Sequence, residues 1–358
     1  MKKKKVIIAP LDWGLGHATR CIPIIRACIE RGCEVTIICS GRSLALLQNE
    51  FPQLQFIDLP AYNIYYQKKG SFVFKIIMQL QKVFSGIKRE HKELNTIIEK
   101  IKPDLIISDN RYGLWSKKVK SILITHQMLV KIPSLKFAEP IVHWWLMQQH
   151  NKFNEVWIPD VAGIPNISGD LSHKYKLPDY IKHIGILTRF KKPDILPQKE
   201  YDVLVILSGP EPQRTIFEEK IIAQSKTINK KFVIVSGKAE NKTDIQLTDN
   251  MRIISYSIAN ELFELILRSE IILSRGGYST LMDLAHLNKK CIFIPTPGQT
   301  EQEYLVKELR EQNLIYATDQ NSFDLQTAVN EVGKTKGFFI DTNSDEFLKT
   351  LEQTLSSI

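Results

Sequence analysis

Residues 9–27 read APLDWGLGHATRCIPIIRA and follow a β-branched run at residues 6–8. A strand, a glycine turn and a helix in this order can bind an anion, because a helix N-terminus presents unpaired N–H groups. Glycine lets the backbone approach a phosphate closely. The stretch matches neither G-x-G-x-x-G nor the Walker A sequence. It therefore predicts a βα turn, and a turn without any ligand explains it equally well.

Short apolar runs alternate with helical patterns along the chain. Most of these runs lack polar alternation, which is typical of parallel strands buried on both faces. The predicted strands are KVIIAP, EVTIICS, LQFIDLP, DLIISD, SILITH and EVWIPD, followed after a break by HIGIL, DVLVILSG, KFVIVSG, RIISYS, EIILS and CIFIPTP. The pattern predicts an α/β fold made of two doubly wound, Rossmann-like domains that face a cleft.

A stretch rich in Pro and Lys, residues 186–202, separates the two halves. We expect a first domain over residues 1–184 and a second over residues 185–340. Apolar residues then recur at helical spacing, which predicts a final helix within residues 341–358.

Composition limits the function classes. The 358 residues carry a net charge of +9, which favours anionic partners such as nucleotide phosphates, nucleic acid or an acidic membrane face. The lysines are dispersed and no nucleic-acid-binding motif occurs, so we expect no nucleic-acid partner. No apolar run is long enough to span a bilayer, and the basic start leads into a strand and not into a signal peptide. Five cysteines without metal-ligand spacing indicate free thiols in the cytoplasm.

A second glycine turn lies in residues 274–309, SRGGYSTLMDLAHLNKKCIFIPTPGQTEQEYLVKEL. A glycine pair opens a helix whose first turn carries Ser279 and Thr280, and hydroxyl and N–H groups there suit a diphosphate. Asp283, one turn deeper, is placed to accept hydrogen bonds from a ribose diol. The polar loop that follows carries amide side chains suited to sugar hydroxyls.

Here the sequence resembles glycosyltransferases of the GT-B fold. It is most similar to the family 28-like group that contains MurG, the N-acetylglucosaminyltransferase of peptidoglycan lipid intermediates, and the monogalactosyldiacylglycerol synthases. The pattern S-R-S/A-G-x-x-T-x-x-E matches SRGGYSTLMD, with Asp283 in place of a ribose-binding Glu. TEQEY echoes D-x-Q-Q-x-x-N through Gln302, and PGQT keeps Gln299 of a P-G-Q-E loop. The resemblance implies that either glutamine contacts the donor sugar.

The first glycine turn takes part in the same resemblance. The synthase pattern D-T-G-G-G-H becomes DWGLGH, which keeps Asp12, Gly14, Gly16 and His17. A histidine at a helix N-terminus stays neutral and can take a proton, and an aspartate at the end of a strand points into the cleft. His17 and Asp12 are therefore the two candidates for the catalytic base. A capping or turn hydrogen bond is the alternative role for each.

Looser matches extend both sides of the predicted site. GILTR and LSGPEPQR occupy the places of two MurG phosphate loops, while SDNRYG and HQML follow predicted strands of the first domain. The expected donor-binding residues are Arg189, Gly209, Gln213, Arg214, Gly276, Gly277, Ser279, Thr280, Asp283, Gln299 and Gln302. The expected acceptor-side residues are Gly14, Gly16, Asp109, Arg111 and His126, and a structural turn explains Asp109 and Arg111 equally well.

The resemblance implies an inverting transferase that moves N-acetylglucosamine or another hexose from a UDP-sugar to a hydroxyl of a lipid-linked or small-molecule acceptor. It also implies that the final helix packs back on the first domain. No D-x-D sequence occurs, so we expect no metal and no cofactor, with helix dipoles and side chains neutralising the leaving diphosphate. A UDP-N-acetylglucosamine 2-epimerase and a non-catalytic nucleotide-sugar-binding protein remain alternatives.

Two aromatic stretches bear on membrane contact. Residues 62–92 combine aromatics, an apolar helical face and lysines, which suits either docking on anionic lipid or packing on the sheet. In HWWLM, Trp144 and Trp145 suit either packing or contact with the acceptor or lipid. A cytoplasmic enzyme that is peripheral on the inner membrane face is the corresponding expectation.

Overall fold

The computed structural model describes residues 3–61, 72–132, 135–191, 193–238, 243–341 and 344–358, with the backbone alone for 72–81, 136 and 344. The aromatic segment at residues 62–71, which we singled out for lipid docking, lies outside the described residues. Two seven-stranded sheets organise the chain, and helices connect most of their strands. This arrangement confirms the two-domain α/β architecture.

The first sheet is parallel throughout, in the order β3-β2-β1-β4-β5-β6-β7. Most of its strands are buried apolar runs, as expected where helices cover both faces, whereas the edge strands β3 and β7 are largely accessible. Its elements are β1 Lys5–Pro10, α1 Leu15–Glu30, β2 Glu34–Cys39, α2 Gly41–Glu50, β3 Gln55–Asp58, α3 Phe72–Ile101, β4 Leu105–Asp109, β5 Lys120–Ile124, a 3-10 turn Lys136–Ala138, α4 Glu139–His150, β6 Glu155–Ile158, α5 Asp170–His173 and β7 Ile181–His183.

The second sheet has the order β10-β11-β9-β8-β12-β13-β14, with β10 antiparallel to β11 and the other neighbours parallel. Its elements are β8 Tyr201–Ile206, α6 Gln213–Ser225, β9 Phe232–Val235, β10 Asp244–Thr248, β11 Met251–Ile254, α7 Ala259–Leu267, β12 Ser269–Ser274, α8 Tyr278–Ala285, β13 Lys290–Phe293, α9 Thr300–Glu311, β14 Tyr316–Ala317, α10 Leu325–Val332 and α11 Ser344–Ser356.

One predicted strand was assigned to the wrong half of the chain. HIGIL, residues 183–187, was expected to open the second half, but the strand at this point is β7, which ends at His183 and pairs with β6 in the first sheet. Strands β10 and β14 were not predicted. All five residues of β10 are exposed and β14 has two residues, so neither carries the buried apolar run that marks the others.

Each sheet reverses its strand order at one point. In the first sheet the reversal falls between β1 and β4, and in the second between β8 and β12. Ligands of doubly wound folds bind at this point, beyond the carboxyl ends of the strands. The two glycine turns follow β1 and β12, so both lie at such reversal points.

The final helix α11 packs on the first domain, as the resemblance implied. Its Phe347 meets Trp157 of β6 edge to face, with ring centroids 6.4 Å apart. Glu352 accepts a hydrogen bond from Arg31 at 2.6 Å. The chain therefore crosses from the second domain back to the first. Within the described helices, none is long and apolar enough to cross a membrane.

Arg111 takes a structural position and not the acceptor contact that we expected. Its side chain is fully buried, and Nε donates to Glu90 Oε1 of α3 at 2.8 Å. The two terminal nitrogens donate to the carbonyl oxygens of Ile38 and Leu59, at 3.2 and 2.8 Å. These bonds hold α3 against the ends of β2 and β3, so the guanidinium does not face the cleft.

We predict that Arg111→Ala lowers the free energy of unfolding by about 3–5 kcal/mol, because Glu90 would keep a buried carboxylate without its ionic partner. Urea unfolding of the two proteins measures the difference. Lys307→Ala is the control, since its pair with Glu311 at 3.7 Å is exposed and such pairs contribute at most about 1 kcal/mol. Equal losses in the two variants would contradict the prediction.

Candidate active site

The glycine turn after β1 is shaped for contact with the second domain. Helix α1 follows Gly14, whose φ of 82° lies in the left-handed region that favours glycine. His17 falls in the first turn of α1. A Cβ on Gly16 would lie 2.7 Å from Ser279 Oγ of α8, and that hydroxyl donates to the Gly16 carbonyl at 2.9 Å. The two glycine turns therefore touch across the cleft.

His17 is held by a buried carboxylate from the neighbouring strand. Its Nδ1 lies 3.0 Å from Oδ1 of Asp109, the last residue of β4. Asp109 is fully buried and also accepts from Arg20 Nε at 2.9 Å and from a terminal nitrogen of the same guanidinium. A terminal nitrogen of Arg20, which donates to Asp109, also lies 3.0 Å from Nδ1. With Nδ1 donating to the carboxylate, the lone pair of His17 lies on Nε2.

The surroundings keep Asp109 ionised. Burial opposes the charge, but Arg20 and His17 outweigh burial and hold the pKa of the carboxyl well below its usual range. The His17 side chain is 19% exposed. No described part of the chain makes a hydrogen bond to its Nε2, which can therefore accept a proton from a bound hydroxyl.

His126 lies at the contact between the domains. The ring of Tyr278 from α8 stacks on it with centroids 3.7 Å apart and planes at 5°. Nε2 of His126 is 3.2 Å from Oε1 of Glu301, and Gln127 donates to the other carboxylate oxygen at 2.6 Å. The Tyr278 hydroxyl donates to the carbonyl of Pro159 at 3.0 Å. The second domain thus encloses His126 from two sides.

Asp283 is buried at the centre of the predicted donor site. It accepts from Arg189 Nε at 2.9 Å, from the Arg189 backbone at 3.3 Å and from the Thr188 hydroxyl at 3.2 Å. Burial raises the pKa of Asp283 although Arg189 opposes the shift. Two of the predicted donor residues are therefore paired with each other. Ser279 and Thr280 occupy the first turn of the same helix, as predicted.

The polar loop before α9 is ordered by its own amide groups. Gln302 Oε1 accepts from the Thr296 backbone at 2.9 Å, and its amide nitrogen donates to Gln299 at 2.5 Å. Glu303 accepts from the Gly298 backbone at 3.1 Å. Both candidate sugar-contacting glutamines are therefore adjacent and connected.

Unpartnered polar atoms lie near the turn after β8. The hydroxyl of Thr296, a residue 2% exposed, has no hydrogen-bond partner in the described chain and lies 3.4 Å from where a Cβ on Gly209 would be. Nε of Arg275 is likewise buried without a partner there. Buried polar groups are normally satisfied, so these two atoms are exceptions, although the terminal nitrogens of Arg275 do donate to neighbouring carbonyl groups.

Gln213 and Arg214 begin α6 beside this turn. Gln213 accepts from the Gln320 amide at 3.0 Å. Arg214 pairs with Glu211 and with Glu218, the latter at 3.4 Å. Glycines Gly276 and Gly277 precede α8, where a Cβ on Gly276 would lie 2.2 Å from Val306 of α9.

Asp12, the second candidate base, has a separate environment. Its carboxylate accepts from the Ala61 backbone N–H at 3.2 Å, and its backbone carbonyl accepts from Gly14. These are turn contacts, and neither joins it to His17. Trp13 beside it is 44% exposed. Within the described residues no cluster of three metal-ligating side chains occurs, and the expectation that no metal takes part stays a prediction.

Three residues of the site escaped sequence reasoning: Arg20, Tyr278 and Glu301. Arg20 lies one turn after His17 on α1, so helical spacing was the signal that could have found it. Tyr278 and Glu301 belong to the second domain and contact His126 of the first domain. Nothing in the sequence indicates that contact. Asp109 was predicted on the acceptor side, but it contacts His17 itself.

Comparisons with known proteins agree with this geometry. The model of the glycosyltransferase family 28 C-terminal domain matches residues 204–354, and that of glycosyl transferase family 1 matches residues 7–125. A glycosyltransferase of Methanosarcina acetivorans is 21% identical, over 84% of this chain and 81% of its own length.

A further sequence relative and one crystal structure are also similar to this chain. The UDP-N-acetylglucosamine–N-acetylmuramyl-(pentapeptide) pyrophosphoryl-undecaprenol N-acetylglucosamine transferase of Sulfurihydrogenibium is 24% identical, over 87% of this chain and 84% of its own. The crystal structure of Acinetobacter baumannii MurG superposes with a TM-score of 0.55 at 11% identity and covers 100% of both chains. At that identity the structural likeness shows the fold alone.

The paired sheets, the two facing glycine turns and these matches define a glycosyltransferase of the GT-B fold. Within that class the second half of the chain is similar to the family 28 C-terminal domain, and the whole chain is similar to relatives that include the MurG-type transferase.

We predict that Asp109→Asn destabilises the protein more at pH 6 than at pH 3. In the folded protein the pKa of Asp109 lies below its ordinary value of 3.8, so the ionic contribution of Asp109 is present above pH 3.8 and is lost as the pH falls below it. Urea unfolding of both proteins at the two pH values measures the difference. Asp319→Asn, at an exposed residue, is the control. A difference between Asp109→Asn and the native protein that is independent of pH would refute the expected ionic role.

Proposed function

We propose that this glycosyltransferase moves N-acetylglucosamine or another hexose from a UDP-sugar to the hydroxyl of a lipid-linked or small-molecule acceptor, with inversion at the sugar. The acceptor oxygen attacks C1 of the sugar as its proton passes to Nε2 of His17. The bond between C1 and the diphosphate oxygen breaks, and UDP leaves with the electron pair. No metal is required in this scheme.

The contact between His17 and Asp109 carries the proposal. A carboxylate on Nδ1 fixes the tautomer, leaves Nε2 as the acceptor of a proton, and stabilises the imidazolium that forms. The same helix turn touches Ser279 at the start of α8. The base is therefore adjacent to the place where a diphosphate would bind.

The donor assignment rests on the second domain. The first turn of α8 offers N–H groups and hydroxyls to a diphosphate, and Asp283 beneath it suits a ribose diol. Arg189 is paired with Asp283, and its positive charge suits a bound phosphate. The Thr296 hydroxyl, which has no partner in the described chain, lies beside the Gly209 turn of the same domain. The UDP-N-acetylglucosamine in the name of the Sulfurihydrogenibium relative supports a UDP-sugar.

A lipid-linked acceptor is supported by an exposed apolar face on the first domain. Phe137, Ile141 and Trp144 are 76%, 66% and 62% exposed and recur at helical spacing over the 3-10 turn and α4. Glu139, the one carboxylate of α4, is buried and paired with Lys174. An uncharged apolar face of this kind suits the surface of a membrane, where the enzyme would act from the cytoplasmic side.

We predict that His17→Ala lowers transfer by about 10²–10⁴-fold and leaves the Kd for UDP nearly unchanged, because a general base acts on the acceptor and not on the nucleotide. Radiolabelled UDP-N-acetylglucosamine, UDP-glucose and UDP-galactose, each incubated with a membrane lipid extract, measure transfer. Calorimetry measures UDP binding.

Each alternative has its own outcome in this assay. A fully active His17→Ala together with an inactive Asp12→Ala would assign the base to Asp12. Inversion at C2 of free UDP-N-acetylglucosamine would identify an epimerase, and UDP binding without turnover would identify a binding protein. Label in a small water-soluble product would exclude the lipid-linked acceptor.

We predict that Asp283→Ala weakens UDP binding by about 10–100-fold, the value of one or two hydrogen bonds to a charged group. Titration calorimetry with UDP measures the loss. Asp319→Ala is the control, because it removes an exposed carboxylate of the same domain. Unchanged UDP affinity in Asp283→Ala would show that the ribose binds elsewhere.

A further inference from the structure

A chain of hydrogen-bonded side chains runs from the second domain to the proposed base. It begins at Glu301 in the first turn of α9, passes through His126, which follows β5, and reaches Arg20 of α1, whose NH1 lies 3.5 Å from His126 Nδ1. Arg20 then contacts Asp109, which holds His17. Four of the five members belong to the first domain, and Glu301 alone crosses from the second.

The chemistry of the groups sets the direction of the two bonds at His126. A guanidinium only donates, so Nδ1 of His126 accepts from Arg20. The proton of the neutral ring then lies on Nε2, and that N–H donates to Glu301 at 3.2 Å. The chain therefore runs from the negative Glu301 through the neutral His126 to the positive Arg20. The next group, Asp109, is negative.

Contacts from the second domain protect the middle of this chain from water, whereas the side chains at its two ends, Glu301 and His17, are 36% and 19% exposed. His126 is 3% exposed because Tyr278 covers one face of its ring. Arg20 and Asp109 are also buried, at 3% and 0% exposure. In such surroundings a charge acts over several ångströms with little screening. A change at Glu301 is therefore felt at the far end of the chain.

Glu301 carries its charge at neutral pH. Burial opposes ionisation, but His126, Gln127 and the more distant His17 favour the carboxylate and lower its pKa to about 2. That influence of His17 is mutual, since a charge that stabilises the carboxylate is itself stabilised by it.

We propose that Glu301 is a positioning residue for the base: it sets the tautomer of His126, keeps Arg20 on Asp109, and brings His17 to its working state only when the second domain is docked on the first. The proposal rests on the proposed role of His17 as the base. It gives the donor domain control over proton transfer through a residue that need not touch the donor. Premature activation of the acceptor in an open cleft would thereby be avoided.

The first test is spectroscopic and needs no acceptor. In protein labelled with ¹⁵N at histidine, His126 should show the tautomer protonated at Nε2, and His17→Ala and His126→Ala assign the two rings. In Glu301→Gln the midpoint of the His17 titration should fall by a few tenths of a pH unit to about one unit, because loss of a negative charge disfavours the imidazolium. The charged or titratable groups packed around the chain are Asp109, Arg20, Cys21, His126, Tyr278, Asp160 and Glu301.

The second test is kinetic, with the UDP-sugar and lipid extract that support transfer. Glu301→Gln should lower kcat by about 5–50-fold and leave the KM for the UDP-sugar within twofold, because a positioning residue acts on the chemical step. A double variant with His126→Ala should be no slower than the slower single variant, since both break one chain. Glu311→Gln removes an exposed carboxylate from the other end of α9 and is the matched control.

The outcomes separate this proposal from the proposed function. A raised KM for the UDP-sugar with an unchanged His17 titration would mean that Glu301 contacts the donor sugar, and the proposal would be wrong. If Glu301→Gln changes neither the His17 titration nor kcat, while His17→Ala is inactive, the proposal for Glu301 is wrong. The assignment of His17 as the base then still stands. A fully active His17→Ala would overturn both.

Discussion

The buried carboxylate of Asp109 is the interaction on which the site depends. It ends β4 at the reversal point of the first sheet, next to the helix that starts after β1. Two donors from one face of that helix, His17 and Arg20, converge on it. A carboxylate without exposure to water is tolerable only with such partners, so the requirement for charge balance fixes the orientation of the imidazole.

The same requirement extends the site across the cleft. The guanidinium of Arg20 faces His126 as well as Asp109, and His126 in turn donates to Glu301. Stacking of Tyr278 on His126 removes water from this contact. The two domains therefore meet through polar groups that satisfy one another, beside the glycine turn where Gly16 leaves room for Ser279. Catalytic geometry and the closed arrangement of the domains have one physical origin.

Much of the fold was predictable because buried parallel strands are apolar without interruption. Runs such as KVIIAP and DLIISD became β1 and β4, and the glycine turns marked the helix starts that follow β1 and β12. Strand β10 was not predicted because all of its side chains are exposed, so its sequence lacks the buried apolar run on which the prediction relied. Arg111 was predicted to contact the acceptor because it follows a strand, as cleft residues do. Its charge is instead neutralised by Glu90 inside the domain.

By itself the sequence determined two Rossmann-like domains and their glycine turns, because local spacing and strand order specify these features, and it predicted His17 and Asp283 as site residues. Only the tertiary structure decided which groups act together. His17 and Asp109 stand 92 residues apart, and His126 and Glu301 stand 175 apart. Their pairing depends on strand order and on the docking of one domain against the other. Charged side chains pair with groups that are close in the folded structure, and spacing along the chain does not indicate which groups those are.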